Sequence, residues 1–276
     1  MSHLLHDITP QRIHAALTTR VYGRSLQVLG STGSTNDDAR TAASRGASRG
    51  HVIVADTQTQ GRGAHGRIWL SPPGIDLYLS IVERLEVPKE KLAPLSLAVG
   101  LGVSDAIHAV AGMLEPRVKW PNDVWLGRRK TAGILVEVTS LGASIETITI
   151  GIGLCVNRIE LEPEIATSAT SLLRETRLHR HDAPPFDRAI VLAALLHHVE
   201  RWVDTFAKEG IAALLDPLRH RLALRGEEVR CGEEQGVLVG ISDTGALRLE
   251  TKTGLRDILS GTLRPITNAE HAHRIE

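Results

Sequence analysis

Two short segments of the chain carry residue types that handle anions. Gly61-Arg62-Gly63-Ala64-His65-Gly66-Arg67 places three glycines and two arginines in one loop. Guanidinium groups fork onto phosphate or carboxylate oxygens, and glycine permits positive φ and lets backbone N–H groups turn inward. Further along, Lys119-Trp120-Pro121-Asn122-Asp123 leads into Lys130-Thr131-Ala132-Gly133-Ile134-Leu135-Val136-Glu137. Lys130 opens an apolar strand, and Gly133 leaves room for a group to pack against the backbone. This combination suits the activation of a carboxylic acid by ATP. The carboxylate attacks the α-phosphate to give an acyl-adenylate and pyrophosphate, so the site must hold two anions in line and offset their repulsion. Such chemistry is mostly positioning and electrostatic stabilisation. Lys130 would stabilise charge at the α-phosphate, and Asp123 beside the lysines would reach a phosphate-bound Mg²⁺ through its oxygens.

Each part also has a plainer explanation. Glycine- and arginine-rich surface loops are common, and this one fits neither a P-loop nor a dinucleotide spacing. Asn122-Asp123 is an equally good hairpin turn after Pro121 interrupts its strand. Trp69 and Trp120 stack on adenine or fill the core, and His65 reads as a solvated loop histidine. Gln58, closing the strand before the loop, is poorly explained by packing alone.

The surrounding pattern supplies elements to position these residues. Thr9–Thr19 has helical spacing after Pro10. Ser25–Leu29 reads as a strand, followed by a helix through Ala39–Ser44 that Thr35 or Asn36 caps, with Asp37 and Asp38 in its first turn. Strands follow at Val52–Ala55 and Asp76–Val82, and a buried helix at Leu92–Leu114. Arg117–Leu126, Ala132–Val138 and Thr147–Val156 read as strands. Asp187–Phe206 reads as a helix with Ile190, Leu195, Val199 and Trp202 on one side. From about Leu224 the texture changes to short strands (Glu228–Arg230, Gly236–Ile241, Ala246–Glu250, Leu255–Ile258) separated by glycine turns, the signature of a small β-barrel. The fold class is therefore α+β, a mixed-sheet domain followed by a small all-β domain. The expected organisation is a short N-terminal helical extension over 1–24, a catalytic domain over 25–220 and a C-terminal domain over 221–276.

Composition sets wider bounds. The chain has 276 residues, 42% of them hydrophobic and 23% charged, as in ordinary soluble domains. Its 32 basic and 32 acidic residues balance, which argues against a surface given over to nucleic acid. No apolar run is long enough to span a bilayer, and Met1–Gln11 lacks a signal core. Cys155 and Cys231 make no disulfide framework and read as buried thiols in a reducing compartment. The expected location is the cytoplasm.

Taken together and in order, Ser34-Thr35-Asn36, Gln58-Thr59-Gln60-Gly61-Arg62-Gly63, Gly66-Arg67-Ile68-Trp69, Lys119–Asp123, Lys130–Glu137 and the Gly151-Ile152-Gly153 turn resemble the motifs of the biotin–protein ligases. The likeness runs over residues 25 to 266. It implies a biotin/lipoate-ligase-like catalytic domain with a C-terminal SH3-like barrel. It also implies MgATP and biotin as substrates, no tightly bound cofactor, and a biotin carboxyl carrier domain as acceptor. Biotin would lie against Ser34, Thr35, Asn36, Gln58, Arg62, Gly63, Ala64, Lys130, Gly133 and Leu135. The nucleotide side would comprise Gly61, Arg67, Trp69, Lys119, Asn122, Asp123, Lys130 and Asn157. Lys130 and Arg62 would be the catalytic pair.

Some members of that family carry an N-terminal winged-helix domain. Its three helices and hairpin do not fit ahead of the first motif strand, so a monofunctional enzyme without DNA or membrane partners is expected. A homodimer formed by strand addition is a further expectation, from fold analogy. Two rival readings are a lipoate ligase or octanoyl/lipoyl transferase, with Cys155 as the nucleophile of a transferase, and a non-catalytic biotin or nucleotide sensor. The chain departs from the family pattern at Cys155, where an asparagine is common, and at Ala64, where an arginine is common. With one cation fewer in the loop, the activated intermediate is expected to be held less tightly. Ala64→Arg is accordingly expected to slow release of biotinyl-AMP from the purified protein, and an unchanged release rate would contradict this.

Overall fold

The computed structural model describes residues 7–141 and 144–266. The first six residues of the expected N-terminal extension and the last ten of the expected C-terminal domain lie outside the described residues. In chain order the elements are α1 (Pro10–Ala16), β1 (Leu26–Thr32), α2 (Thr35–Ser44), β2 (Val52–Gln58), β3 (Leu77–Glu83), α3 (Leu95–Val110), β4 (Pro116–Lys119), β5 (Asp123–Leu126), β6 (Arg129–Leu141) and β7 (Ser144–Leu154). They continue with α4 (Leu172–His179), α5 (Arg188–Glu209), α6 (Ala212–Arg221), β8 (Glu228–Cys231), β9 (Glu234–Ile241), β10 (Leu247–Thr251), β11 (Gly254–Ile258) and β12 (Leu263–Pro265).

The first seven strands form one sheet in the order β1-β2-β3-β7-β6-β5-β4. Only β1 and β2 run parallel; the other neighbours are antiparallel. This is the mixed sheet the pattern predicts. Strand β3 is buried along its whole length, because α3 and α5 cover one face of the sheet and α2 packs on the other. Those helices approach so closely that a Cβ on Gly102 would lie 2.7 Å from the backbone of Val199. The buried stripe of α5 contains Val191, Leu192, Leu195, Val199, Val203 and Phe206. Ile190, expected on that stripe, is exposed. Helix α2 begins one or two residues earlier than expected, with Ser34 rather than Thr35 or Asn36 at its N-cap. Helices α4 and α6 were not anticipated: α4 has only 8 residues, and α6 carries Pro217 inside it, which breaks the helical signal.

The N-terminal segment packs into the same core as the sheet. Ile13 and Tyr22 are fully buried. The Glu200 carboxylate on α5 accepts the backbone N–H groups of Arg20, Val21 and Tyr22 at 2.8, 2.9 and 2.6 Å. At the other end of the chain, β8 to β12 form a five-stranded antiparallel sheet in the order β11-β10-β9-β8-β12. Among the described residues its outer strands do not pair with each other, so the expected barrel is an open sheet. Its turn at Gly245 accepts a hydrogen bond from the Trp120 indole at 3.2 Å. Trp120 therefore faces this junction and fills core, one of its two sequence-level readings. Both cysteines are buried and free, as expected. Among the described residues, no helix is long and apolar enough to cross a membrane.

Gly102→Ala forces a methyl group against backbone, where no side chain can turn aside. The expected loss is about 1–3 kcal/mol of stability, the usual cost of overpacking, measured by denaturant unfolding. A loss indistinguishable from zero would mean the two helices can part freely.

Candidate active site

The site lies on the face of the sheet toward the loop between β2 and β3, and three glycines make its floor. Gly133 of β6 pairs with Gly153 of β7, and Leu135 pairs with Gly151. A Cβ on Gly153 would meet the Trp69 ring at 2.3 Å, and one on Gly133 would meet it at 2.7 Å. A Cβ on Gly151 would meet Asn36 Oδ1 at 2.2 Å. The glycine run at 151–153 thus lies inside the strand expected over Thr147–Val156 and does not form a turn. It is glycine-rich because Trp69 and Asn36 lie directly on the backbone. Above this floor is a cleft of ≈ 230 Å³.

One end of the cleft is polar and largely uncharged. Ser34, Thr35 and Asn36 stand buried at the start of α2. Gln58 Oε1 accepts from the Thr35 N–H at 2.9 Å and its hydroxyl at 3.1 Å. Gln58 Nε2 donates to Ser71 Oγ at 3.1 Å, which ties the end of β2 to the far side of the loop. The Ser80 hydroxyl of β3 lies 2.8 Å from Thr35 Oγ1 and 2.5 Å from Asn36 Oδ1. Asn36 Nδ2 donates to Glu137 at 2.7 Å. Gln58 is therefore a structural keystone of this wall, which accounts for its position in sequence.

The glycine–arginine loop is a tight hairpin. Gly63 N–H donates to the Arg67 carbonyl at 2.7 Å, and Trp69 N–H to the Gly61 carbonyl at 2.9 Å. Of the loop's glycines only Gly66 has positive φ, preceded by His65 at φ 58. Gly61 is required for a different reason: a Cβ there would meet the Trp69 carbonyl at 2.5 Å. Arg62 reaches the rim and forks onto Asp37 at 2.6 and 2.8 Å, with Glu137 at 3.6 Å. The Arg62 hydrogen bond is the main reason the Asp37 carboxyl titrates below its usual range. Gly63, Ala64 and Arg67 also line the cleft.

The other end is cationic. Lys130 Nζ lies 2.5 Å from Asp123 and 5.2 Å from the Trp69 ring centre, within cation–π range. Strict alternation along β6 would put Lys130 on the opposite face from Gly133. A register shift between β5 and β6 at Val124/Trp125 brings them together, so that a Cβ on Gly133 would lie 3.0 Å from Lys130 Nζ. Bulges near active sites re-aim side chains in this way. Lys119 is buried behind, 3.5 Å from Asp123; burial lowers the pKa of its ammonium group. Asn122 is fixed by reciprocal bonds with the backbone of Ile134 at 2.8 and 2.9 Å. The Lys130 backbone is itself held, donating to Ser168 O and accepting from Thr170 N–H, both at 2.8 Å.

Of the residues expected from sequence, Ser34, Thr35, Asn36, Gln58, Arg62, Gly63, Ala64, Arg67, Trp69, Asn122, Lys130, Gly133 and Leu135 line this one cleft. Gly61, Lys119 and Asp123 stand behind its wall. Asn157 does not reach it; its side-chain amide donates to Phe186 O at 2.9 Å and accepts from Phe186 N–H at 2.8 Å. Asp123 has two lysines as neighbours, and among the described residues no group of three or more His, Cys, Asp or Glu side chains could hold a metal ion. Residues the sequence did not flag are Ser80, Ser71, Arg158 and the segment through Ile165 to Ala169. Only Arg158, a charge directly after a strand-like apolar run, left any trace.

Hydrogen-bonding neutral groups at one end and cations at the other suit the joining of a carboxylic acid to a nucleotide phosphate, the chemistry of an adenylate-forming ligase. Residues 30–154 match the biotin/lipoate A/B protein ligase family, and residues 225–262 match the biotin protein ligase C-terminal domain. The biotin–[acetyl-CoA-carboxylase] ligase of Paracoccus denitrificans is 32% identical over 236 residues, 82% of this chain and 95% of that one. The bifunctional ligase/repressor BirA of Bacillus subtilis is 31% identical over 93% of this chain and 78% of its own length. The solved biotin protein ligase of Aquifex aeolicus in complex with biotin and ATP is 32% identical, with a TM-score of 0.75 over 88% of this chain and 100% of that one. The chain belongs to the biotin protein ligase family.

Gly153→Ala is expected to lift Trp69 off the floor and change its fluorescence maximum while far-UV circular dichroism stays the same. An unshifted emission spectrum would contradict the assignment of Gly153 as the seat of the ring.

Proposed function

We propose that this cleft binds biotin and MgATP side by side and joins them as biotinyl-5′-AMP. The enzyme then transfers biotin to a lysine of a biotin carboxyl carrier domain, such as that of acetyl-CoA carboxylase. The observation that carries this reading is the placement of Lys130. Its ammonium group stands where the glycine floor meets the cationic end, within reach of both a ligand carboxylate and an α-phosphate. Ser34, Thr35, Asn36 and Gln58 orient the uncharged head of the acid. Arg62 exchanges its bonds to Asp37 for ligand oxygens, and Arg67 and Trp69 face the nucleotide. Mg²⁺ enters with ATP as part of the substrate. The acceptor lysine attacks the mixed anhydride as a neutral amine, forming the amide and releasing AMP.

Cysteine-based transfer is disfavoured by the structure's chemistry. Cys155 does line the cleft, but its side chain is buried and burial pushes the thiol pKa well up, so little thiolate forms at neutral pH. A pure sensor would not need the Lys130–Asp123–Lys119 cluster. The same reading places the enzyme in the cytoplasm, acting without DNA. The free edge of β1 offers backbone groups for strand addition by an acceptor or a second copy.

The test is pyrophosphate release from purified protein with MgATP and biotin, lipoate or no acid. Release that requires biotin and falls by roughly 10²–10³ in Lys130→Ala, the usual cost of losing one charge-stabilising group, is the expected result. Release with lipoate alone would move the substrate, and no release with either acid would favour a sensor.

A further inference from the structure

Arg158 follows β7, and its side chain is only 3% exposed. Its Nε and Nη2 lie 2.8 and 2.6 Å from one oxygen of Asp76, which is fully buried. The other Asp76 oxygen accepts the Val156 N–H at 2.8 Å. From that fixed point the guanidinium reaches outward twice. Nη2 donates to the carbonyl of Leu70 at 3.1 Å, and Nη1 to Glu162 at 3.3 Å. Leu70 follows Trp69 on one side of the cleft. Glu162 belongs to the segment that continues through Ile165, Ser168 and Ala169 on the other side. That segment is also fastened at its far end, where Ser168 and Thr170 grip the Lys130 backbone and Ser171 Oγ donates to the Arg158 carbonyl at 2.5 Å.

Burying such a pair is a poor route to stability, since the desolvation of two charges offsets their attraction. A guanidinium fork does, however, fix direction in a way an apolar side chain cannot. It lines the cleft, but its bonds to Asp76, Leu70, Glu162 and Tyr78 all go to protein acceptors, so its role is to hold the segments that carry them.

We propose that Arg158 is a positioning residue that clamps the Trp69–Ser71 loop and the 159–169 segment together over the nucleotide end of the cleft. The inference rests on the ligase reading for the identity of that ligand. Asp76 supplies the anchor, and Arg188, which donates to the Asp76 carbonyl at 3.1 Å and to Asp56 at 2.8 Å, ties the anchor to α5.

Arg158→Lys keeps the charge and removes the fork; Glu162→Gln removes only the outer contact, at a partly exposed position. Both full-length variants are compared with wild type by hydrogen exchange and by steady-state kinetics. Arg158→Lys is expected to raise exchange in residues 68–71 and 159–169 together. It should raise KM for ATP by roughly tenfold, the scale of one lost charge-assisted hydrogen bond, while kcat falls less than threefold. Glu162→Gln should raise exchange in 159–169 alone. Exchange rising evenly across the sheet, or kcat falling with KM unchanged, would overturn the proposal. If wild type released no pyrophosphate with biotin, the ligase reading would fail, and the exchange data would still decide whether the clamp exists.

Discussion

Two ammonium groups share one carboxylate in this protein: Lys130 and Lys119 lie 2.5 and 3.5 Å from the oxygens of Asp123. Two positive charges and one negative leave the trio with a net charge of one, in a wall where Lys119 and Asp123 are nearly buried. An unpaired buried cation would lose its proton or draw in water. A fully paired one would have nothing to offer a phosphate. The shared carboxylate avoids both outcomes, because it keeps the cluster folded while leaving it attractive to an anion. Much of the surrounding structure serves this arrangement. The β4–β5 hairpin pairs Lys119 with Asp123, the bulge on β6 turns Lys130 toward the cleft, and the strand-like bridge at Ser168–Thr170 holds its backbone.

The glycine floor answers a second constraint, that an indole ring and an amide must lie on strands whose side chains would otherwise stand in the way. Removing Cβ at 133, 151 and 153 brings Asn36 and Trp69 down onto the sheet. Among the described residues, Trp69 Nε1 is buried without a hydrogen-bond partner. The Arg62–Asp37–Glu137 set at the rim places an exchangeable cation beside the same floor. Those pairs are half-exposed and individually weak.

Much of this was legible in the sequence, for identifiable reasons. Alternation of Leu77, Leu79 and Ile81 against Tyr78 and Ser80 marked β3, and the change of texture near Leu224 marked the second sheet. The order of the Ser34, Gln58, Gly61, Lys119 and Lys130 motifs located the cleft. What could not be read depends on contacts between distant segments. A bulge leaves no mark in composition, so the face on which Lys130 stands was hidden. Gly61 looked like a positive-φ glycine but is there for a close approach to Trp69. Asn157 sits in a motif position yet spends its amide on Phe186. Arg158 gains meaning only from Asp76, Leu70 and Glu162, which the chain brings to it from three separate stretches.

The two sheets meet beside the cationic end, where the Gly245 carbonyl accepts from Trp120, one residue from Lys119 and two from Asn122. The second sheet thus buttresses the cationic wall. The central claim is that one cleft carries an acid from free carboxylate to protein-bound amide. Intact-mass spectrometry of a biotin carboxyl carrier domain, incubated with the enzyme, MgATP and biotin, tests it most directly. The account predicts one added biotinyl group on a single lysine, absent without ATP and absent when lipoate replaces biotin. An unmodified carrier in the presence of all components, or a carrier that gains lipoyl but not biotinyl groups, would contradict it.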